Sequence, residues 1–400
     1  MPFANTATRY GSVTKTFHWL IALLILTLIP LGIIANGLPF ETSEELARKA
    51  LLFSMHKTFG VLVFFLALAR IVWALSQTKP AGLHPERKLQ TFAAEVVHWL
   101  LYGSLVLVPL SGWIHHSATT GFAPIWWPFG QSLPFVPKSE AVAATFAGLH
   151  VVFERVLLFS VLLHIAGALK HHFVDKDATL HRMWFGPTDA GQPDHRHRFL
   201  APLGVALMAW VGAIMIGYGM GSYESHAPVQ EAAELAEVAS EWEVQDGTLS
   251  VSVSQFGSDV TGSFADWTAA ITFDETLGTQ KLGDVEVTIS IASLTLGSVT
   301  SQAMGPDFFD VTQFPTAVFK ADIYLAVDGY EAKGSLTIRD KTMPLTLPFS
   351  LNLKDDIAQM DGSVILDRRD FGIGDNMATE ASLKFPVKVT VTLTASRQSE

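Results

Sequence analysis

A chain of 400 residues is too long for one ordinary domain, and its averages of 49% hydrophobic and 16% charged residues hide two unlike halves. Residues 1–220 carry 16 Lys+Arg against 11 Asp+Glu, a net of +5, while residues 221–400 carry 11 against 27, a net of −16. That acidic half is a poor partner for nucleic acid, because phosphates need clustered positive charge, and the lack of any cysteine excludes disulfides, thiolate metal sites, iron–sulfur clusters and covalently attached haem.

Five apolar stretches approach or reach the roughly 20 residues that span a bilayer, at residues 17–35, 56–75, 96–114, 149–169 and 199–218. The first is too long and uninterrupted for a signal peptide, and no small-residue cleavage site follows it, so it reads as a retained helix. Lys and Arg in the connecting segments set the orientation. Arg9 and Lys15 precede the first helix; Lys79, Arg87 and Lys88 follow the second; Lys170, Lys176, Arg182, Arg196 and Arg198 follow the fourth. The first loop holds Arg48 and Lys49, and the third holds Lys138. The predicted arrangement is a multi-pass protein of a bacterial inner membrane, with a cytoplasmic N-terminus and a periplasmic C-terminal half.

A polar linker rich in Ala and Glu covers residues 219–241, and from Trp242 the hydrophobic period becomes two. Leu249, Val251 and Val253 alternate with serines; Val285, Val287, Ile289 and Ile291 alternate with Glu286, Thr288 and Ser290; Val387, Val389, Val391 and Leu393 continue the pattern. Such alternation between Gly and Asp turns predicts antiparallel strands with one buried face, in a sandwich or barrel. No internal repeat is evident.

Each histidine within a spanning helix is costly and needs a reason. His18 lies near the cytoplasmic end of the first helix, His56 opens the second on the periplasmic side, His150 opens the fourth there, and His164 lies near its cytoplasmic end. Fourteen residues of α-helix return within about 40° of the starting face and rise about 21 Å, so His150 and His164 face one interior at two depths. His18 matches the depth of His164, and His56 that of His150. Two imidazole pairs suit two low-spin haems that only pass electrons; a proton relay and a transition-metal transporter are the alternatives. Arg70, fourteen residues after His56, returns to the bundle-facing side, where it serves either a haem propionate or positive-inside anchoring. His171, seven residues past His164 on nearly the same face, is the candidate for a quinone or a propionate. His98, His115 and His116 read as interface groups.

These residues resemble the bacterial cytochrome b561 family over residues 8–185. The agreement covers Phe17-His18-Trp19; His56-Lys57 with Gly60 and Arg70; and His98, Tyr102 and Pro109 to Trp113. It continues through Leu149-His150, Leu163-His164, His171-His172-Phe173, Asp177, Thr179-Leu180 and Arg182-Met183. The resemblance implies a four-helix quinone oxidoreductase with two haem b groups, ligated by His18, His56, His150 and His164. It also implies exchange with ubiquinone, with superoxide as a periplasmic donor in some members. The fifth helix, 199–218, departs from that pattern and exports the second domain.

Residues 242–396 resemble the YceI-like family of lipocalin-like barrels. The matching segments are Trp242 to Phe273 with its Gly262-Ser263-Phe264 turn, Gly305 to Phe319, Gly334 to Leu347, and Arg369-Asp370-Phe371-Gly372-Ile373. This implies a cavity for an isoprenoid chain, and an inward row of Val, Ile, Leu and Phe is compatible with one slender ligand in about eight strands. A solidly packed core is the alternative. Pro306-Asp307-Phe308-Phe309-Asp310 reads as a lid or a corner, and Arg369 and Asp370 as a turn or a site. With only His226 beyond the last helix and no catalytic constellation, this half is not expected to be a metalloenzyme.

Together the halves predict a multidomain chain: an all-α transmembrane bundle followed by an all-β antiparallel barrel. The expected partners are the lipid bilayer, the quinone pool and an isoprenoid lipid; a homo-oligomer is compatible with the sequence. The expected function is transmembrane electron transfer with ubiquinone as substrate. The rivals are a lipid-binding barrel merely tethered to a cytochrome, and a histidine-lined metal or proton transporter.

Overall fold

The structure, a computed structural model, describes residues 2–84, 86–184, 200–223, 235, 236, 238–278 and 281–398. Arg196, Arg198, His226 and most of the linker lie outside these residues. The chain divides into two compact units, one built of helices and one of strands.

The helical unit contains α1 (Ser12–Gly37), α2 (Ser43–Leu75), α3 (Lys88–Ala118), α4 (Glu140–Lys170), a π-helical turn (His171–Asp175), the short α5 (Thr179–Met183) and α6 (Leu200–Gly219). Among the described residues five helices are long and apolar enough to cross a membrane. Two of them start well before the apolar windows do. In α2 the Thr42 hydroxyl accepts from the Glu45 N–H at 3.3 Å while the Glu45 carboxylate accepts from the Thr42 N–H at 3.2 Å. This capping box begins the helix in a polar turn that hydropathy does not register. In α4 the Ser139 hydroxyl caps Val142 N–H. His56 and His150 therefore lie well inside their helices rather than opening them, which corrects the sequence reading of both.

The interior shared by α1 to α4 is an apolar layer that includes Ile21, Ile25, Leu28, Val63, Leu105 and Leu157. The fifth spanning helix packs through Trp210 and Ala206 onto Leu100 and Phe153. That contact requires Gly103, where a Cβ would stand 1.9 Å from the Trp210 ring.

Among the described residues the second unit is one antiparallel sheet of ten strands. The strands are β1 (Trp242–Gln255), β2 (Ser258–Phe264), β3 (Trp267–Phe273), β4 (Gly283–Ser290), β5 (Leu294–Thr295), β6 (Thr316–Ala326), β7 (Gly329–Ile338), β8 (Lys341–Lys354), β9 (Ile357–Asp367) and β10 (Leu383–Arg397). Their order is β3-β4-β6-β7-β8-β9-β10-β1-β2-β5. The sheet curls until the residues at the start of β1 meet β3, with Glu241 N–H donating to Ile271 C=O at 3.1 Å and the Trp242 indole to Phe273 C=O at 3.2 Å. The result is the lipocalin-like barrel expected from the alternation.

Candidate functional site

The four predicted histidines come together as two pairs. The ring centroids of His56 on α2 and His150 on α4 lie 6.3 Å apart, and those of His18 on α1 and His164 on α4 lie 6.0 Å apart. Two imidazoles on opposite sides of one metal have centroids about 6.2 Å apart, given nitrogen–metal bonds of about 2 Å and about 1.1 Å from nitrogen to ring centre. Both spacings fit a shared iron. The layer of Ile21, Ile25, Leu28, Val63, Leu105 and Leu157 holds the α1–α4 interior between the two depths.

The backbone orients the first pair. His56 Nδ1 lies 3.0 Å from Leu28 C=O on α1, and His150 Nδ1 lies 2.8 Å from Val108 C=O on α3. A carbonyl only accepts, so each Nδ1 carries the proton and each Nε2 keeps the lone pair a metal needs. Each ring reaches its carbonyl over a glycine one turn along. A Cβ on Gly32 would stand 2.8 Å from His56 Cε1, and one on Gly112 would stand 2.9 Å from His150 Nδ1. Gly60, one turn past His56, has open space at its Cβ position. We expect Gly112→Val to push the imidazole off Val108 C=O and weaken haem retention about 10- to 100-fold, the range for losing an orienting contact. Haem content during detergent dialysis measures this, and retention equal to wild type contradicts it.

The second pair has different surroundings. His98 on α3 stands 5.2 Å from His164, centroid to centroid, so it lies beside this pair. Arg70 lies 5.3 Å over the Tyr102 ring and within electrostatic reach of His18 and His164. Arg182 is buried, 5.1 Å over the Tyr10 ring, and its Nε and Nη2 have no hydrogen-bond partner among the described residues. A buried guanidinium left this way is costly unless an anion joins it. The carboxylates of a haem supply such an anion, so the donor set fits the group at this end too. His115 and His116 pair with each other instead: their rings are 4.4 Å apart, and His115 Nδ1 lies 2.8 Å from Ala143 C=O.

His171 sits in the π-helical turn. Its Nδ1 faces Asp177 Oδ2 at 2.7 Å and Asp175 Oδ2 at 3.0 Å. His84 Nε2 reaches the same Asp177 oxygen at 3.0 Å, and the two rings stack at 6.4 Å. Burial works to raise the Asp177 pKa, but hydrogen bonds from Thr179 and His171 outweigh it and hold the carboxyl well below the usual range.

The family model for prokaryotic cytochrome b561 matches residues 9–186. Cytochrome b561 homolog 2 of Escherichia coli (strain K12) is 30% identical over 184 residues, which are 46% of this chain and 95% of that protein. The chain belongs to the prokaryotic cytochrome b561 family. Membership brings a b-type haem and a redox role to the helical unit. The probable superoxide oxidase CybB of Yersinia pestis is 25% identical over 176 residues, 44% of this chain and 95% of that protein. Residues 241–395 match the family model for a YceI-like domain. The crystal structure of Burkholderia cenocepacia BcnA is 26% identical with a TM-score of 0.35, over 38% of this chain and 96% of that one.

C-terminal in sequence to its cytochrome b561 unit, this chain carries a hollow barrel. It encloses a cavity of about 280 Å³ whose lining is apolar except for Gln255, Gln302 and Arg368. Arg368 is no ligand anchor. Its Nε donates to Lys384 C=O, Nη1 to Ile373 and Gly374 C=O, and Nη2 to Met377 and Leu383 C=O, which uses every donor it has. Arg369 is bound to Asp367 through Nε at 2.9 Å and serves the turn. The Pro306–Asp310 segment is a corner: Phe308 and Asp310 N–H both bond Gly305 C=O, and Phe308 and Phe309 face the cavity.

Proposed function

We propose that this chain carries electrons across a bacterial inner membrane through two b-type haems, from a periplasmic donor to the ubiquinone pool. The observation that carries the reading is the pair of histidine couples at 6.3 and 6.0 Å, held on α4 by one fourteen-residue spacing. Each haem supplies a one-electron store at its own depth. His56 and His150 hold the outer one, with Leu28 and Val108 carbonyls fixing their rings. His18 and His164 hold the inner one, and Arg70 and Arg182 meet its propionates. Bis-histidine ligation leaves no open position for oxygen, which suits electron transfer. The basic segments around Arg9, Lys79, Arg87 and Lys170 favour the cytoplasm for the His18–His164 end, and the odd number of spans then exports the barrel.

Kinship with a probable superoxide oxidase supports superoxide as donor, each molecule giving up one electron and leaving as dioxygen. His171 serves the quinone on the cytoplasmic side. The barrel holds an isoprenoid lipid of the quinone class, because a long apolar cavity with so few polar groups rejects charged or sugar-like ligands. Solvent extraction of purified chain should release an isoprenoid; barrels that extract empty and remain fully stable would contradict this.

The test of transport uses the haem-loaded chain in vesicles with an impermeant one-electron acceptor trapped inside. An impermeant donor outside should reduce it at a rate far above protein-free vesicles. Equal rates would overturn the reading.

A further inference from the structure

Resting on the reading of His171 as the quinone-side residue, we propose that Glu86, His84, Asp177 and His171 form a proton relay that feeds the quinone. Reduction of a quinone to its quinol takes two electrons and two protons. The electrons come through the bundle, but nothing in the histidine pairs supplies protons.

The four side chains lead from an exposed carboxylate to partly buried groups. Glu86 is 66% exposed, His84 29%, Asp177 11% and His171 23%. Glu86 Oε1 lies 3.2 Å from His84 Nδ1, His84 Nε2 lies 3.0 Å from Asp177 Oδ2, and that oxygen lies 2.7 Å from His171 Nδ1. Every step is within hydrogen-bond reach, and His171 ends the chain of contacts. Asp177 Oδ1 is fixed by Thr179 N–H at 2.8 Å, so the bridging oxygen stays in place.

Charge favours protons over a metal ion here. Asp175 is already engaged by Lys170 at 2.8 Å and Arg87 at 3.3 Å. Asp175, Asp177 and Glu86 against Lys170 and Arg87 leave one negative charge, which a single imidazolium balances. Moving that charge from His84 to His171 leaves the total unchanged. In one transfer the Nε2 proton of His84 passes over Asp177 Oδ2 to Nδ1 of His171, and His171 releases its Nε2 proton to the reduced quinone oxygen. Exchange with water then shifts the remaining proton of each ring, so that His171 and His84 both again carry Nε2–H and an open Nδ1, and a proton taken up from water at Glu86 passes to His84 Nδ1. His171 is the catalytic residue; Asp177 and His84 act through it.

The experiment compares His84→Gln, Asp177→Asn and His171→Gln in the full haem-loaded chain. Decylubiquinone reduction is followed between pH 6 and 9, and decylubiquinone binding and haem content are measured separately. Proton transfer by a positioned group contributes about 10²- to 10⁴-fold, so Asp177→Asn should slow turnover at least about tenfold. His84→Gln should slow it most at high pH, where protons are scarce. Both should bind decylubiquinone as wild type does and keep their haem. Wild-type rates across the pH range in His84→Gln and Asp177→Asn, with His171→Gln slow, would overturn the relay and leave the quinone site standing. Wild-type rates in His171→Gln would overturn both. Stoichiometric uptake of Mn²⁺ or Zn²⁺, lost in Asp177→Asn, would make the cluster a metal site and overturn the relay.

Discussion

Changing His150 to Ala should remove one of the two haem signals from the reduced spectrum and leave the other in place. The ring closes a pair with His56 at 6.3 Å, and its Nδ1 is spoken for by Val108 C=O. Removal leaves His56 facing an empty position, and a single imidazole in an apolar seat retains haem poorly. The other couple stands apart: His164 is fourteen residues along α4, about 21 Å at 1.5 Å per residue, with Leu28, Val63, Leu105 and Leu157 in the interior between. Haem content should therefore fall by about half, not to zero. Transport across vesicles should stop, because the outer store is gone. Loss of both signals without unfolding would show that the two depths are not independent, and persistence of both would show that His150 is no ligand. Reduced-minus-oxidised spectra with pyridine haemochrome quantitation give the answer.

The second large effect concerns the barrel. Arg368→Met should destabilise it by at least about 3 kcal/mol, because several buried carbonyls lose their donors together. Its five donors meet five carbonyls within residues 373–384. A thioether keeps part of the stem volume but leaves those carbonyls buried without a donor, each at about 1–3 kcal/mol. Arg368→Lys should rescue little, since an ammonium has three donors and no planar fork. At roughly 2–4 °C per kcal/mol for a unit of this size, the strand transition in circular dichroism should shift down by about 6–12 °C. The haem spectrum should not change. A shift under about 2 °C would mean that the carbonyls find other partners.

The contrast between Arg368 and Arg369 shows where sequence reading stopped. The two are neighbours in the chain, and the sequence singled out Arg369, whose partner is Asp367 two residues away. The neighbour that ties the segment together acts on residues 373–384, and only the folded chain reveals that direction. The shared face of His150 and His164 was legible because a fourteen-residue period is a local property of one helix. His98 and His84 were not, because their partners lie on other segments. Gly32 and Gly112 were invisible for the same reason: glycine is common in spanning helices, and only the built contact with His56 and His150 shows why these two positions exclude a side chain. The spans were found by hydropathy, yet α2 and α4 begin earlier because a capping box and a serine cap are polar signals. Alternation in β1, β4 and β10 announced a buried face. It carries no information on whether that face meets another side chain or a void, so the cavity had to be seen.

The most direct measurement is haem per chain in protein purified with excess haem, joined to an anaerobic optical redox titration. Two b-type haems per polypeptide, titrating at separate potentials, are the predicted result. A fully loaded protein that holds one haem, or none, would contradict the assignment of His18, His56, His150 and His164 as two axial pairs.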